Sequence, residues 1–170
     1  MRYLRWFVFL VVVLGITGCD HGTKLLSAKE LPLGKSISLI TNVVTLEQAR
    51  NTDTAFSLLA GVVPKQPRLL LLKVTATLGT LVLAIITLLR FNRVTNLERT
   101  ALAFLLGGAA GNMIDRWKWG YVIDFIHVRY WPIFNVADIA LCIGGALAAI
   151  AMWQMSRRTA EPLPLRVRSR

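Results

Sequence analysis

The chain has 170 residues, 55% of them hydrophobic and 17% charged, with a mean hydropathy of +0.55. Soluble domains carry roughly 25% charged residues, so this composition excludes an ordinary water-soluble globule, and its wealth of Leu, Val, Ile and Ala excludes a disordered chain. Two cysteines (Cys19, Cys142) and two histidines (His21, His127) exclude a disulfide framework and argue against a metal centre; the net charge of +11 marks a nucleic-acid binder only if the basic residues form one folded patch.

Four stretches approach the about 20 apolar residues that a membrane span needs. Leu4 to Gly18 is the first, and it is short. It closes on Ile16-Thr17-Gly18-Cys19, which looks like the lipobox of a lipoprotein signal peptide. Asp20 and Lys24 then follow at i,i+4 spacing, which predicts that the helix runs on past Cys19. Ser36 to Thr45 (SISLITNVVT) alternates and is β-branched, which predicts a strand, with turn signals at Pro32, Gly34, Pro64 and Pro67 around it. Leu69 to Leu89 is the cleanest span, broken only by Lys73, whose stem can carry its amine to the interface. Thr100 to Ile114 is third and again short. Residues 115–133 are rich in Trp and Tyr, as expected at headgroup level. Phe134 to Met155 is the fourth span and holds one acid, Asp138. Gly107 with Gly111, Gly144 with Ala148, and Gly145 with Ala149 stand four apart, a spacing that lets helix backbones approach closely in lipid. The tail from 157 to 170 is basic, and its end, EPLPLRVRSR, reads as disordered.

The basic residues set the orientation. Arg2 and Arg5 precede span one, Arg90, Arg93 and Arg99 fill the link between spans two and three, and the tail carries Arg157, Arg158, Arg166, Arg168 and Arg170. These lie on one side, which is assigned to the cytoplasm together with both termini. The positive charge is then a topology signal, not a footprint for nucleic acid.

The acids near the outer ends of spans three and four need partners, because a lone carboxylate near lipid is costly. Asp115 beside Arg116 is expected to form a simple ion pair. Asp124 is surrounded by Val122, Ile123, Phe125 and Ile126. Asp138 shares a helical face with Asn135, and Asn112, Asp115 and Arg116 share another. Two carboxylates brought together in a partly dry pocket cannot both ionise easily, and one holding a proton beside a charged one can activate water against a carbonyl. Pro132 and the aromatic turn would let the chain double back between Asp124 and Asp138. On residue chemistry alone, such hydrolysis and an ion or proton pathway through Asp115, Asp124 and Asp138 stand equal.

Five sequence blocks add a resemblance. Gly111-Asn112-Met113-Ile114-Asp115-Arg116, Val122-Ile123-Asp124-Phe125-Ile126 and Phe134-Asn135-Val136-Ala137-Asp138 resemble, in order and spacing, motifs of bacterial lipoprotein signal peptidase (signal peptidase II). Upstream, Asn51-Thr52-Asp53-Thr54-Ala55-Phe56-Ser57 is similar to that family's N-T-G-A-A-F-S block, and Asp20-His21-Gly22-Thr23-Lys24 to its D-Q-x-S-K block. The chain departs from the pattern at Asp53-Thr54, and more mildly at His21 and Thr23.

The resemblance implies a mainly α fold, a four-transmembrane-helix bundle with a small periplasmic β-cradle, over a single integral membrane domain of residues 1–156. The segment after Ser57 would be a mobile helix over the cleft. The implied activity is that of an inner-membrane aspartic endopeptidase, which removes the signal peptide from prolipoproteins before a diacylglyceryl-modified cysteine. Asp124 and Asp138 would be the catalytic dyad, with Asn51, Asn112, Arg116 and Asn135 lining the site and Asp20, Lys24 and Asp115 supporting it. The partners would be modified prolipoproteins and membrane lipid, with no metal, cofactor or nucleic acid, and a monomer would suffice. The site would lie near the periplasmic face. Against this stand a small transporter or proton conductor, and a membrane-tethered lipoprotein processed at Cys19.

Overall fold

The computed structural model describes residues 1–52 and 64–160. In chain order these form α1 (Arg2–Glu30), β1 (Ser36–Ile40), β2 (Val44–Asn51), α2 (Lys65–Arg90), α3 (Asn96–Lys118), β3 (Val122–Val128) and α4 (Val136–Ala160). The helix expected after Ser57 and the disorder expected at the end of the tail both fall outside the described residues.

Each helix boundary has a local cause. α1 continues through Cys19, as the Asp20–Lys24 spacing predicts, and stops at Leu31, which precedes Pro32 and is thereby pushed out of helical geometry. α2 tolerates Pro67 because it sits in the first turn, where the missing N–H has no intrahelical acceptor. Its threonines Thr75, Thr77, Thr80 and Thr87 turn their hydroxyls back onto carbonyls four residues earlier, so that an apolar helix carries them without exposed polarity. α3 opens with a capping box between Thr95 and Glu98.

Large apolar side chains face outward: Leu14, Leu70, Leu81, Leu89 and Met152 are all exposed. The buried side chains include Asp20, Lys24, Asn112, Asp115 and Asn135. Water would not tolerate that inversion, whereas lipid favours it. Among the described residues three helical stretches are long and apolar enough to cross a membrane: Arg2–Glu30, Gln66–Arg90 and Val136–Arg157. α3 has 23 residues and is long enough to span, but it does not reach the same apolarity. It packs against α1, α2 and α4 at the centre of the bundle, so its surface is matched to neighbouring helices and uses small residues where the others use large apolar ones.

The close approaches run through α3. A Cβ on Gly108 would lie 2.6 Å from the Ala137 carbonyl oxygen of α4, and one on Gly111 would lie 2.5 Å from Asp20 Oδ2 of α1. Gly107 meets Ile16, and Gly144 meets Leu105. The expectation for Gly145 with Ala149 is not met: both are exposed and Gly145 has no neighbour within 4 Å of a Cβ. Gly108→Ala should therefore part α3 from α4 at the level of Asp138. An overpacked core of this kind loses about 1–3 kcal/mol, and thermal unfolding in detergent measures it; an unshifted transition would mean that the helices close up around the methyl group.

The sheet has the order β1-β2-β3 and is antiparallel throughout. The single strand expected over Ser36 to Thr45 is instead split into a hairpin. Its turn passes through Asn42 at φ 60°, and Val43 N–H donates back to the Ile40 carbonyl. Asparagine tolerates that left-handed conformation, and the β-branched residues around it mask the turn in the sequence. β3 falls within the aromatic segment, where no strand was expected, although the run VIDFIHV has strand composition. After β3 the chain doubles back as expected, through Tyr130 at φ 67°, and Phe134 bridges antiparallel to Ile126. His127 Nδ1 and Glu47 Oε1 meet at 2.8 Å, tying β3 to β2.

Candidate active site

Five elements converge at one end of the bundle. α1 supplies Asp20 and Lys24 one turn apart. α3 supplies Asn112, Asp115 and Arg116 at i, i+3 and i+4, hence on one face. β2 ends on Asn51, whose backbone partner is Val122, and β3 then presents Asp124 opposite Ala49. Asn135 precedes α4 and Asp138 lies in its first turn.

The start of α4 is a reciprocal cap. Asn135 Oδ1 accepts from the Asp138 N–H at 3.0 Å, and Asp138 Oδ2 accepts from the Asn135 N–H at 3.2 Å. Two N–H groups that a helix start leaves unpaired are thereby satisfied. The same asparagine reaches β3, where its Nδ2 donates to Asp124 Oδ1 at 2.6 Å. Asn112 Nδ2 donates to Asp138 Oδ1 at 2.8 Å, and Asn112 Oδ1 accepts from Asn135 Nδ2 at 3.1 Å. Two asparagines thus connect the two carboxylates. Asn51 Nδ2 donates to the remaining Asp124 oxygen at 2.9 Å.

A dry ionic layer lies beneath. Lys24 Nζ donates to Asp20 Oδ2 at 2.7 Å and to Asn112 Oδ1 at 3.1 Å, and it pairs with Asp115 Oδ2 at 2.9 Å. All three ammonium protons have acceptors. Asp20 Oδ1 accepts from the Ala137 N–H at 2.8 Å, which satisfies another amide at the start of α4, and Asp115 Oδ2 also accepts from the Ile123 N–H at 3.2 Å. The simple Asp115–Arg116 ion pair is not what forms, because adjacent helical residues do not face each other. Arg116 instead donates to the Asn112 carbonyl at 3.1 Å, within electrostatic reach of Asp138, Asp124 and Asp115. Among the described residues Asp115 Oδ1 has no hydrogen-bond partner, and His21 Nδ1 lies 3.9 Å from it. His21 has no expected role in the sequence; its place beside the ionic layer follows from its position one residue after Asp20.

The two layers differ in access. Asp20, Lys24, Asp115 and Asn135 are sealed, whereas Asp138, Arg116 and Asn51 are partly open and Asp124 sits at the boundary, 3% exposed. Burial pushes the Asp124 carboxyl up from its ordinary range to about 6; the Asn51 hydrogen bond opposes this, and nearby Asp138 adds to it. Asn51→Ala removes an opposing hydrogen bond, so the ionisation near 6 should move to higher pH. A carboxyl 13C NMR titration of Asp124 reads the shift; an unmoved midpoint would mean that Asn51 does not favour the ionised carboxylate.

All nine expected site residues therefore meet at this end of the bundle. Of the block Asn51 to Ser57, only Asn51 and Thr52 fall within the described residues, and the Asp53-Thr54 departure lies outside them.

Helices with lipid-type outer faces and a linked pair of carboxylates at one end describe a multi-pass membrane protein with a polar, acidic site at the end of its bundle. The family model of signal peptidase (SPase) II matches residues 11–154, and the chain belongs to that family. It is 39% identical over 157 residues to the lipoprotein signal peptidase of Geobacter sulfurreducens, covering 90% of this chain and 96% of that one. It is also 39% identical over 149 residues to the lipoprotein signal peptidase of Bacillus subtilis, covering 85% and 92%. A solved bacterial membrane enzyme, determined by the in meso method at 2.3 Å resolution, superposes with a TM-score of 0.76 at 26% identity, covering 92% of this chain and 93% of that one.

Proposed function

We propose that Asp124 and Asp138 are the catalytic dyad of a peptidase that cuts prolipoproteins immediately before a diacylglyceryl-modified cysteine. As a signal peptidase II, the chain removes signal peptides from prolipoproteins. The observation that carries the assignment is the asparagine link: Asn135 and Asn112 hold one oxygen of each carboxylate, at 2.6 Å and 2.8 Å, and so set their separation and orientation.

The roles divide by environment. Asp124, pushed up to about 6, is the member that carries the proton. Asp138, on the open side, takes a proton from water as that water attacks the scissile carbonyl carbon, while Asp124 gives its proton to the carbonyl oxygen. The tetrahedral intermediate then collapses: the C–N bond breaks, Asp138 returns its proton to the leaving nitrogen, and Asp124 recovers its own from the hydroxyl. Arg116 and Asn51 border the open side and are suited to bind substrate backbone carbonyls. Asn112 and Asn135 orient the dyad, and Asp20, Lys24 and Asp115 fix the asparagines from below.

In this reading all four helices cross the bacterial inner membrane, with α3 shielded by the other three. The ends that gather Arg2, Arg5, Arg90, Arg93, Arg99 and Arg157 face the cytoplasm, so both termini are cytoplasmic and the dyad lies near the periplasmic face. The sheet is the cradle in which the extended substrate meets water while its lipid stays in the bilayer. Residues 1–156 form one membrane unit, 157–170 a basic tail, and the monomer is sufficient. Neither competing reading has support at this site. Processing at Cys19 would require cutting within continuous helix, and Asp115, the third acid of a relay, is sealed from solvent and paired with Lys24.

Purified protein should cleave a diacylglyceryl-modified prolipoprotein to leave the lipidated cysteine as the new amino terminus. Asp124→Asn and Asp138→Asn should both abolish this. Full activity in either variant would remove that residue from the dyad.

A further inference from the structure

We propose that the end of the bundle opposite the dyad holds a binding site for an anionic phospholipid, its headgroup on Arg5 and Arg99 and one acyl chain in the groove between α1 and α3. The groove has a volume of about 330 Å³ and is lined by Val8, Phe9, Val12, Ala103 and Phe104, with the two arginines also in its wall. That volume falls in the roughly 300–1,000 Å³ range of small-ligand sites. Fifteen residues of α1 separate Arg5 from Asp20, or roughly 22 Å at the helical rise, so this is not part of the catalytic cleft.

The groove is a built feature. Phe9 and Ala103 are buried in a cluster with Phe91, on which Trp6 stacks at 3.6 Å and Phe9 packs edge-on at 5.2 Å. The charge at the groove is equally fixed. Arg99 Nε donates to the Phe91 carbonyl at 2.9 Å, Arg99 Nη1 donates to Asn96 Oδ1 at 2.6 Å, and the guanidinium lies over the Phe91 ring at 5.4 Å. One cation is therefore pinned in place. Arg5 is exposed, makes no ion pair or side-chain hydrogen bond among the described residues, and is close enough to Arg99 for the two charges to repel.

The nearby acid, Glu98, attracts Arg99 and offsets the paired positive charge only in part. Glu98 Oε2 is committed to the Thr95 N–H at 2.7 Å and the Thr95 hydroxyl at 2.8 Å. Two adjacent cations, one pinned and one free, over an apolar trough match a phosphodiester above an acyl chain. A zwitterionic headgroup would bring its own cation to the same place. Basic pockets between membrane helices select anionic lipids for this reason.

The test is native mass spectrometry of the delipidated full-length protein, titrated with equimolar phosphatidylglycerol and phosphatidylcholine. Wild type should retain phosphatidylglycerol in preference. Arg5→Gln should lower that preference about fivefold, the effect of one cation at an anionic surface. Arg2→Gln, which removes the same charge outside the groove, should leave the preference intact. Val8→Trp, which fills the trough from its exposed side, should lower retention with both arginines present. Equal retention of the two lipids by wild type overturns the proposal. So does an Arg2→Gln loss as large as that of Arg5→Gln, or retention indifferent to Val8→Trp.

Discussion

Asp124→Asn is expected to lower kcat/KM by about 10²–10⁴-fold, the range contributed by a positioned acid–base group, and at the same time to flatten the dependence of stability on pH. The second effect separates the removal of a charge from general damage. In wild type the Asp124 carboxyl is raised from 3.8 to about 6, so the folded state holds a proton that the unfolded state releases. The favourable contribution is complete below about pH 4 and is lost as pH rises through about 6. The total is on the order of 3 kcal/mol, from about 1.4 kcal/mol per pKa unit. Thermal unfolding of wild type in detergent should therefore fall between pH 4 and 6, and the Asn variant should lack that fall. The amide puts an NH2 group where one carboxylate oxygen accepted, facing the Nδ2 donor of Asn51 or Asn135, so its transition is not expected to reach the wild-type value at pH 4. A variant that kept wild-type cleavage, or the wild-type slope, would show that Asp124 is not the proton-holding group.

The second large effect is structural. Lys24→Met should destabilise the protein by about 3–5 kcal/mol, because it leaves Asp20 and Asp115 as buried charges without their common counter-ion. For a chain of this size that corresponds to a fall in Tm of roughly 6–20 °C. Lys24 is 1% exposed and the two carboxylates are 0% exposed, so solvent cannot substitute for the ammonium. Lys24→Met combined with Asp115→Asn should recover part of the loss, since one of the two orphaned charges is gone. Equal Tm values for the single and double variants would show that the loss is one of packing and not of charge. The cleavage rate should fall with Lys24→Met as well, because Asn112 Oδ1 loses the donor that holds its amide towards Asp138.

Much of this arrangement can be read from local spacing. Apolar runs locate the four described helices, and Asp20 with Lys24, like Asn112 with Arg116, declares a shared face because each pair lies one helical turn apart. The outward apolar and inward polar character follows from composition, since fixed acids within apolar runs require an interior. The five ordered blocks single out the candidate dyad, the asparagines and the supporting ion pair before any packing is known.

Tertiary structure alone decided which groups meet. Asp115 has Arg116 beside it in sequence but Lys24 beside it in space, because glycines on α3 let α1 and α4 approach until Asp20, Lys24 and Ala137 reach the same level. β3 carries Asp124 to Asn135 only once β2 supplies a partner strand and the chain reverses at Tyr130. The hairpin at Asn42 is hidden among β-branched neighbours for a similar reason: one left-handed residue reverses a strand without altering its composition. Periodicity reports contacts within one turn or one strand, while the partner of a buried charge depends on helix heights and strand register set by residues far away in the chain.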